Sequence, residues 1–522
     1  MKNPSKKYLF FLSFLEGGSV MACELIGAKL LAPFFGTSLY VWAAALALTL
    51  GGLTIGYFLG GLFSKKYAGS YSFLYWVLIC AGLLLVVMPF TSELIMNQTI
   101  HLSLEMGAIF SLLIFMLPPL VFMGMVSPII INLLTEDVQS AGNSAGNVYA
   151  ISTLGGILAT FVMGFYVIPN FGLEMPAVII GILLCLFPLI SLFLGKNKNA
   201  AIVIVLLGGF AFLSLKPSEH FNEEYKVLYQ SEGILGQVKV VDHPSYDITP
   251  DHREGRALIV NNTLQTYVGL ENDLQYSIWS WANYFPTAAS IFPKGSKVLL
   301  LGLGGGTLVK QLDRLGFETD VVEIDKRIWE VSVDYFNLDP TTNVIIDDAR
   351  HHVRITDKKY DIVIFDTFLS EAVPEHLVTT EGFEDTKKIL NPGGMIMINF
   401  YGYVKGNLGT AARSVYKTLE ASGLKTEILA TPGNEASRNL IFLASEMEKD
   451  FSQTNYKEQN FEKINDLYDH FIDPRTMNLN NAKILSDKKP QLAKLYTKAA
   501  REWKKNYNKY YRKYFVIKKG DK

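Results

Sequence analysis

The stretch Leu301-Gly302-Leu303-Gly304-Gly305-Gly306-Thr307 follows an apolar run at 297–300 and is answered by Val321-Val322-Glu323-Ile324-Asp325. Strand, glycine loop, helix and a second strand ending in an acid form a nucleoside site: the bare loop lets a ligand approach the backbone, and the carboxylate accepts from both ribose hydroxyls. Glu323 stands 19 residues after Gly304, at the spacing that this arrangement requires. Asp347-Asp348 and Asp366 follow two further apolar runs, 343–346 and 360–365. No Gly-Lys-Ser/Thr follows the loop, and the Gly-x-Gly-x-x-Gly spacing is not met. A nucleoside without a pyrophosphate therefore fits better than a P-loop ligand or a dinucleotide.

The elements that must carry these residues alternate between β and α patterns. The spacing predicts strands at 297–302, 319–323, 343–346, 360–365, 394–400, 424–430 and 438–444, and helices at 306–315, 326–336, 380–390 and 408–421. Near-continuous apolar strands alternating with helices mean a doubly wound parallel sheet covered on both faces. Its ligand site lies at the carboxyl ends of the strands, where Gly302–Gly306, Glu323, Asp347-Asp348 and Asp366 converge. Ahead of it, short strands at 236–241, 257–261 and 264–268, with a tight turn at Asn261-Asn262-Thr263, read as a β-hairpin module. Asp273–Tyr284 has helical spacing, ended by Phe285-Pro286.

Composition divides the chain. Residues 1–215 hold 15 of the 97 charged side chains and no arginine. Apolar stretches at 8–32, 38–63, 71–90, 107–134, 145–168 and 172–194 are long enough to span ~30 Å of hydrocarbon, whereas 200–215 is marginal. Pro118-Pro119 and Gly124–Pro128 are expected to break the fourth segment, and Gly155-Gly156 and Gly164 to open the fifth to close packing. Lysines 2, 6, 7, 65, 66, 196 and 198 place their loops in the cytoplasm. A donor made from ATP needs a cytoplasmic soluble half, so 200–215 is expected to be re-entrant or interfacial, unless one earlier segment does not cross. Glu24 and Lys29, inside the first span, are either functional or a snorkelling lysine and a carboxylate facing a polar gap. The domains expected are 1–215 (transmembrane), 225–272 (β-hairpin), 273–447 (Rossmann-like) and 448–522 (helical basic tail). Cys23, Cys80 and Cys185 all lie in apolar stretches, so neither a disulfide framework nor a metal site is readable.

These residues together resemble the spermidine synthase-like (polyamine aminopropyltransferase) family over about 225–445. Residues 1–215 resemble the membrane half found fused to such domains, in Glu16-Gly17-Gly18, Glu24-Leu25-Ile26-Gly27-Ala28, Leu31-Ala32-Pro33 and Gly124-Met125-Val126-Ser127-Pro128. The resemblance implies a methyltransferase-type Rossmann fold behind a β-hairpin domain. It implies that Gly302, Gly304 and Gly305 pass under a sulfonium arm, that Glu323 holds the ribose, that Asp348 accepts from the adenine amino group and that Gln265 closes over the cofactor. Asp366 matches the catalytic proton acceptor, and Tyr276 remains of a substrate-binding Tyr-His-Glu triplet that here reads Tyr276-Ser277-Ile278. The chain departs from the family where Gly304 replaces an aspartate and Leu369 replaces the second acid of an Asp-x-x-Asp motif. An aspartate at 304 would repel the carboxylate of intact S-adenosylmethionine, and glycine removes that discrimination. Glu371, Glu375 and His376 follow in the next loop, where His376 reads as structural.

The activity implied is transfer of an aminopropyl group from decarboxylated S-adenosylmethionine to an amine, in polyamine biosynthesis, by an integral protein of an inner or plasma membrane. Alternatives are an S-adenosylmethionine-dependent methyl or aminocarboxypropyl transferase acting on a membrane-associated acceptor, and a transporter with a nucleoside-sensing domain. No metal and no nucleic acid are expected, and a homodimer is left open. Lys494–Lys522, with 11 basic and 2 acidic residues and interleaved aromatics, reads as a solvated helix facing an anionic bilayer.

Overall fold

A computed structural model describes residues 4–36, 39–99, 102, 104–135, 140–215, 225–233, 235–243, 254–270, 274, 276–367, 374–456, 467–500 and 502. The chain divides into two compact units, one of 1–220 with 231–237 and one of 221–230 with 238–522.

The first unit is helical: α1 (Lys6–Leu30), α2 (Ala32–Phe35), α3 (Leu39–Lys66), α4 (Tyr71–Thr99), α5 (Leu104–Phe115), α6 (Leu117–Leu134), α7 (Ala141–Val162), α8 (Ile168–Phe171), α9 (Glu174–Leu194) and α10 (Asn199–Leu215). Six helices among the described residues are long and apolar enough to cross a membrane, at 6–35, 41–66, 71–99, 117–134, 141–171 and 174–194. These match the six apolar stretches predicted. The fourth segment does break, but at Met116, where the prolines fall in the first turn of α6 and their missing N–H groups cost nothing. Gly124–Pro128 does not interrupt it, since α6 runs on through Pro128. Gly155 lies against α1, where a Cβ would stand 2.1 Å from the Phe14 carbonyl oxygen, whereas Gly164 faces open space in a π-helical turn at 163–167. Residues 200–215 form one continuous helix, α10, packed along α4 and α9, with Ser214 Oγ donating to the Val86 carbonyl at 2.6 Å. Glu24 is 8 % exposed beside the Thr49 hydroxyl, and Lys29 Nζ lies 5.3 Å from the Trp42 ring centroid.

The second unit opens with a four-stranded sheet in the order β1 (Lys226–Ser231), β2 (Val238–His243), β3 (Gly255–Val260), β4 (Thr263–Gly269). Asn261 and Asn262 take φ of 51° and 58°, as a two-residue hairpin turn demands. Among the described residues of the helix predicted at 273–284, none before Tyr284 is α-helical, and Ser280–Asn283 is a 3-10 turn. Ser277 bridges Val268 instead, and the helix is α11 (Tyr284–Ala289), with Pro286 in its first turn, where no N–H is required.

Beyond it come β5 (Lys297–Leu301), α12 (Thr307–Arg314), β6 (Glu318–Glu323), α13 (Lys326–Phe336), β7 (Asn343–Ile346), α14 (Ala349–Ile355), β8 (Tyr360–Phe365), α15 (Thr380–Lys388), β9 (Leu390–Tyr401), α16 (Thr410–Ala421), β10 (Lys425–Ala430) and β11 (Asn439–Ser445). The strand order is β10-β11-β9-β8-β5-β6-β7. β5 to β9 pair in parallel, but β11 is antiparallel to both neighbours, so the sheet is mixed rather than wholly parallel. The link between β10 and β11 is too short for a crossover helix, and a short link closes a hairpin. Val298 and Leu300 join the core on one face of the sheet, Leu299 and Leu301 the core on the other. From β5 the chain moves outward through β6 and β7, then returns to place β8 on the other side, so the strand order reverses between β5 and β8.

The start of the basic tail is docked, not solvated: Tyr496 is 6 % exposed, with its ring 5.6 Å from that of Phe400 on β9. Trp503, Tyr507, Tyr510, Tyr511 and Tyr514 lie outside the described residues.

Candidate active site

At the reversal point the glycine loop leaves β5 with Gly302 at φ 93°, and a Cβ there would stand 2.1 Å from the Asp366 carbonyl oxygen. Only glycine meets both conditions. The loop is therefore seated directly on the end of β8. Gly304 has φ 55°, and Thr266 Oγ1 is the sole neighbour that a Cβ there would meet, at 3.0 Å.

Glu323, the last residue of β6, is 8 % exposed. Its Oε2 accepts from the Leu303 N–H at 3.0 Å and its Oε1 from the Asp325 N–H at 2.9 Å. The Ile324 N–H also interacts with it, and the carboxylate retains acceptor capacity toward a ribose hydroxyl. Burial pushes this carboxyl up to about 7, against the pull of the Asp325 and Leu303 amides.

Asp366 is half-buried just past β8, and its Oδ1 accepts from Asn399 Nδ2 at 2.8 Å. Asn399 Oδ1 in turn accepts from Asn439 Nδ2 at 2.9 Å. Burial raises the Asp366 carboxyl to about 6, opposed by the Asn399 amide. A carboxylate with this affinity is ionised at neutral pH yet basic enough to take a proton.

The hairpin sheet closes over the loop. Thr266 Oγ1 accepts from the Gly305 N–H at 2.8 Å. The β3–β4 register shifts between Leu258 (opposite Thr266) and Ile259 (opposite Leu264), leaving Gln265 as the extra residue of a bulge. Bulges re-aim side chains, which removes Gln265 from the regular ladder. The sheet is held down by Arg256, which pairs with Asp242 at 2.6 Å and donates to the Tyr335 carbonyl at 2.7 Å. Buried Lys310 donates to the Leu274 carbonyl at 3.0 Å and to that of Phe336, the last residue of α13. Cations on the carbonyls that end a helix are favourable.

Residues 287–403, which hold the loop and its three carboxylate positions, match the spermine/spermidine synthase domain model. This stretch is therefore similar to a spermine/spermidine synthase domain. It is 35 % identical over 135 residues to a polyamine aminopropyltransferase of Vibrio vulnificus (23 % of this chain, 45 % of that protein), and 30 % identical over 187 residues to one of Thermoplasma volcanium (34 % and 66 %). It is also 28 % identical over 222 residues to an N-terminal histidine N-methyltransferase of Emericella nidulans (40 % and 37 %). The chain thus spans between 37 % and 66 % of the length of these curated relatives. A solved spermidine synthase from Thermotoga maritima matches at 18 % identity over 48 % of this chain and 85 % of that one, with a TM-score of 0.37.

Within the synthase domain, Asp348 caps α14: its Oδ1 accepts from the His351 N–H at 3.0 Å, and its Oδ2 lies 3.6 Å from His376 Nε2. One oxygen is committed to the cap. Just ahead of the domain, Tyr276 packs its ring 4.6 Å from the Arg314 guanidinium, at the end of α12 away from the glycine loop. Leu369 and Glu371 lie outside the described residues, while Glu375 Oε2 accepts from the Ala493 N–H at 3.2 Å. Among the described residues no three His, Cys, Asp or Glu side chains gather as a metal site requires.

Sequence reading missed Asn399, Asn439, Thr266 and Thr307. Thr307 Oγ1, directly after the loop, is buried and has no hydrogen-bond partner among the described residues. The available signal for Asn399 is a lone amide inside the apolar run Met395–Phe400. A buried strand carries such a group only when it is paired.

Proposed function

We propose that the synthase domain transfers an aminopropyl group from decarboxylated S-adenosylmethionine to an amine, as a membrane-anchored enzyme of polyamine synthesis. The observation that carries this reading is Asp366, whose backbone abuts Gly302 at the strand-order reversal and whose carboxylate is oriented by Asn399. Glu323 would hold the ribose, with the loop beneath the sulfonium arm. Asp348 Oδ2 is the oxygen available to the adenine amino group, and Gln265 would close over the nucleoside.

Asp366 takes a proton from the acceptor ammonium, freeing the nitrogen lone pair. A C–N bond then forms as the carbon–sulfonium bond breaks, and its electron pair goes to sulfur, leaving neutral methylthioadenosine. The sulfonium is already an activated leaving group, so alignment and exclusion of water supply much of the rate.

The test is to incubate full-length protein with the decarboxylated donor and putrescine and to measure methylthioadenosine. We expect Asp366→Asn to lower release by ~10²–10⁴-fold with donor binding retained; unchanged release removes Asp366 from the mechanism. A second reading, methyl or aminocarboxypropyl transfer from intact S-adenosylmethionine, is favoured by Gly304 and by the likeness to an N-methyltransferase. Formation of S-adenosylhomocysteine from that donor would establish the methyl form. Cytoplasmic placement of the soluble half requires α10 to stop short of the far face. Its 17 residues, about 26 Å at 1.5 Å each, allow this against ~30 Å of hydrocarbon. Thiol labelling of a cysteine introduced into the soluble half, in vesicles of known orientation, decides it.

A further inference from the structure

A carboxylate inside an apolar bundle must be neutralised by a partner. Glu16 on α1 is 2 % exposed, and among the described residues it forms no ion pair with a lysine or arginine. Its partners are hydroxyls: Ser152 Oγ on α7, at 3.1 Å, and Ser127 on α6. The close approach of the helices comes from glycine. A Cβ on Gly17 would stand 2.0 Å from the Ser152 carbonyl oxygen, and one on Gly56 of α3 2.4 Å from that of Val121 on α6. α1 thus packs tightly on α7, and α3 on α6.

Across the gap between these two helix pairs, Tyr57 of α3 meets Tyr149 of α7, with ring centroids 6.3 Å apart at 84°. Tyr57 also lies within electrostatic range of Glu16. Both rings are partly exposed, at 39 % and 44 %. A carboxylate, two hydroxyl oxygens and two aromatic rings suit a primary ammonium: the charge goes to Glu16, N–H groups to Ser127 and Ser152, and the cation to the π faces. A divalent metal would require more oxygen anions than these residues offer.

We propose that Glu16, Ser127 and Ser152, with the Tyr57 and Tyr149 rings, form a cleft that binds an alkylammonium ion, so that the membrane half takes up the same class of molecule as the synthase domain. The choice of a polyamine as that ion rests on the proposed transfer reaction; the cleft's chemistry does not.

Equilibrium binding of radiolabelled putrescine to the full-length protein in detergent, without sulfonium donor, tests this. We expect Glu16→Gln to weaken binding at least tenfold and Tyr57→Leu several-fold. Size-exclusion elution checks the fold of each variant, and if Glu16→Gln does not fold, Tyr57→Leu and Ser152→Ala carry the test. Wild-type affinity in the folded Glu16 variant, or no binding by the wild type, overturns the proposal. Failure of the transfer reading shows separately, as absent methylthioadenosine release beside intact putrescine binding.

Discussion

Replacing Asn399 by leucine keeps the side-chain shape but deletes the only side-chain hydrogen bond made to Asp366 among the described residues. Asp366 sits at about 6 because burial raises it and the amide holds it back. A hydrogen bond to a charged group contributes about 1.5–3 kcal/mol, or about one to two pKa units at 1.36 kcal/mol per unit. In Asn399→Leu the acid limb of kcat/KM should therefore move from near 6 to about 7–8. At pH 7 the ionised fraction would fall from about nine-tenths to between a half and a tenth, while near pH 9 the variant should approach wild type. The assay is the pH profile of methylthioadenosine release at limiting donor, as the ratio of variant to wild type at each pH, which cancels the amine's own ionisation. Asn439 loses its acceptor, so some stability is lost as well, about 1–3 kcal/mol. An unmoved limb, or a loss equal at every pH, would show that Asn399 does not tune the base.

Gly302→Ala places a Cβ 2.1 Å from a backbone oxygen at φ 93° and should cost the soluble unit at least ~1–3 kcal/mol, read as an earlier denaturant midpoint; a midpoint equal to wild type contradicts the loop geometry. Gly304→Asp restores the acid seen in the family and should shift the donor ratio of kcat/KM about tenfold toward the decarboxylated form, so an unchanged ratio separates donor choice from this position. Methylthioadenosine affinity should hold above pH 7 and weaken about tenfold per unit below it, because the ionised Glu323 accepts from the ribose hydroxyls. In the ligand-free fold the same raised carboxyl adds stability that is complete below 4.5 and lost as pH rises through about 7, and Glu323→Gln should flatten both curves.

Most of the site's architecture was legible because it follows from short-range pattern. The order of β5, α12, β6 and α13, with glycines at one strand end and acids at the next three, follows from periodicity and from where parallel strands place their carboxyl ends. The six long helices were legible for a similar reason, since length and apolarity alone decide whether a helix can span. Long-range pairing was not legible. That β11 enters the sheet antiparallel, that Tyr496 docks on Phe400, and that 277 joins a strand edge in place of a helix all depend on which surfaces need covering. The same holds for chemistry. Asp366 could be picked from its place after a strand, but the affinity of its carboxyl for a proton is set by burial and by Asn399, 33 residues away in sequence. Glu16 and its two serines lie on three different helices and become a site only through glycine-tight crossings. Sequence alone determined which residue types stand at the strand ends, because backbone geometry imposes that order locally. The tertiary structure decided which of them are buried, paired and charged, because desolvation and hydrogen bonding depend on neighbours that sequence separation does not reveal.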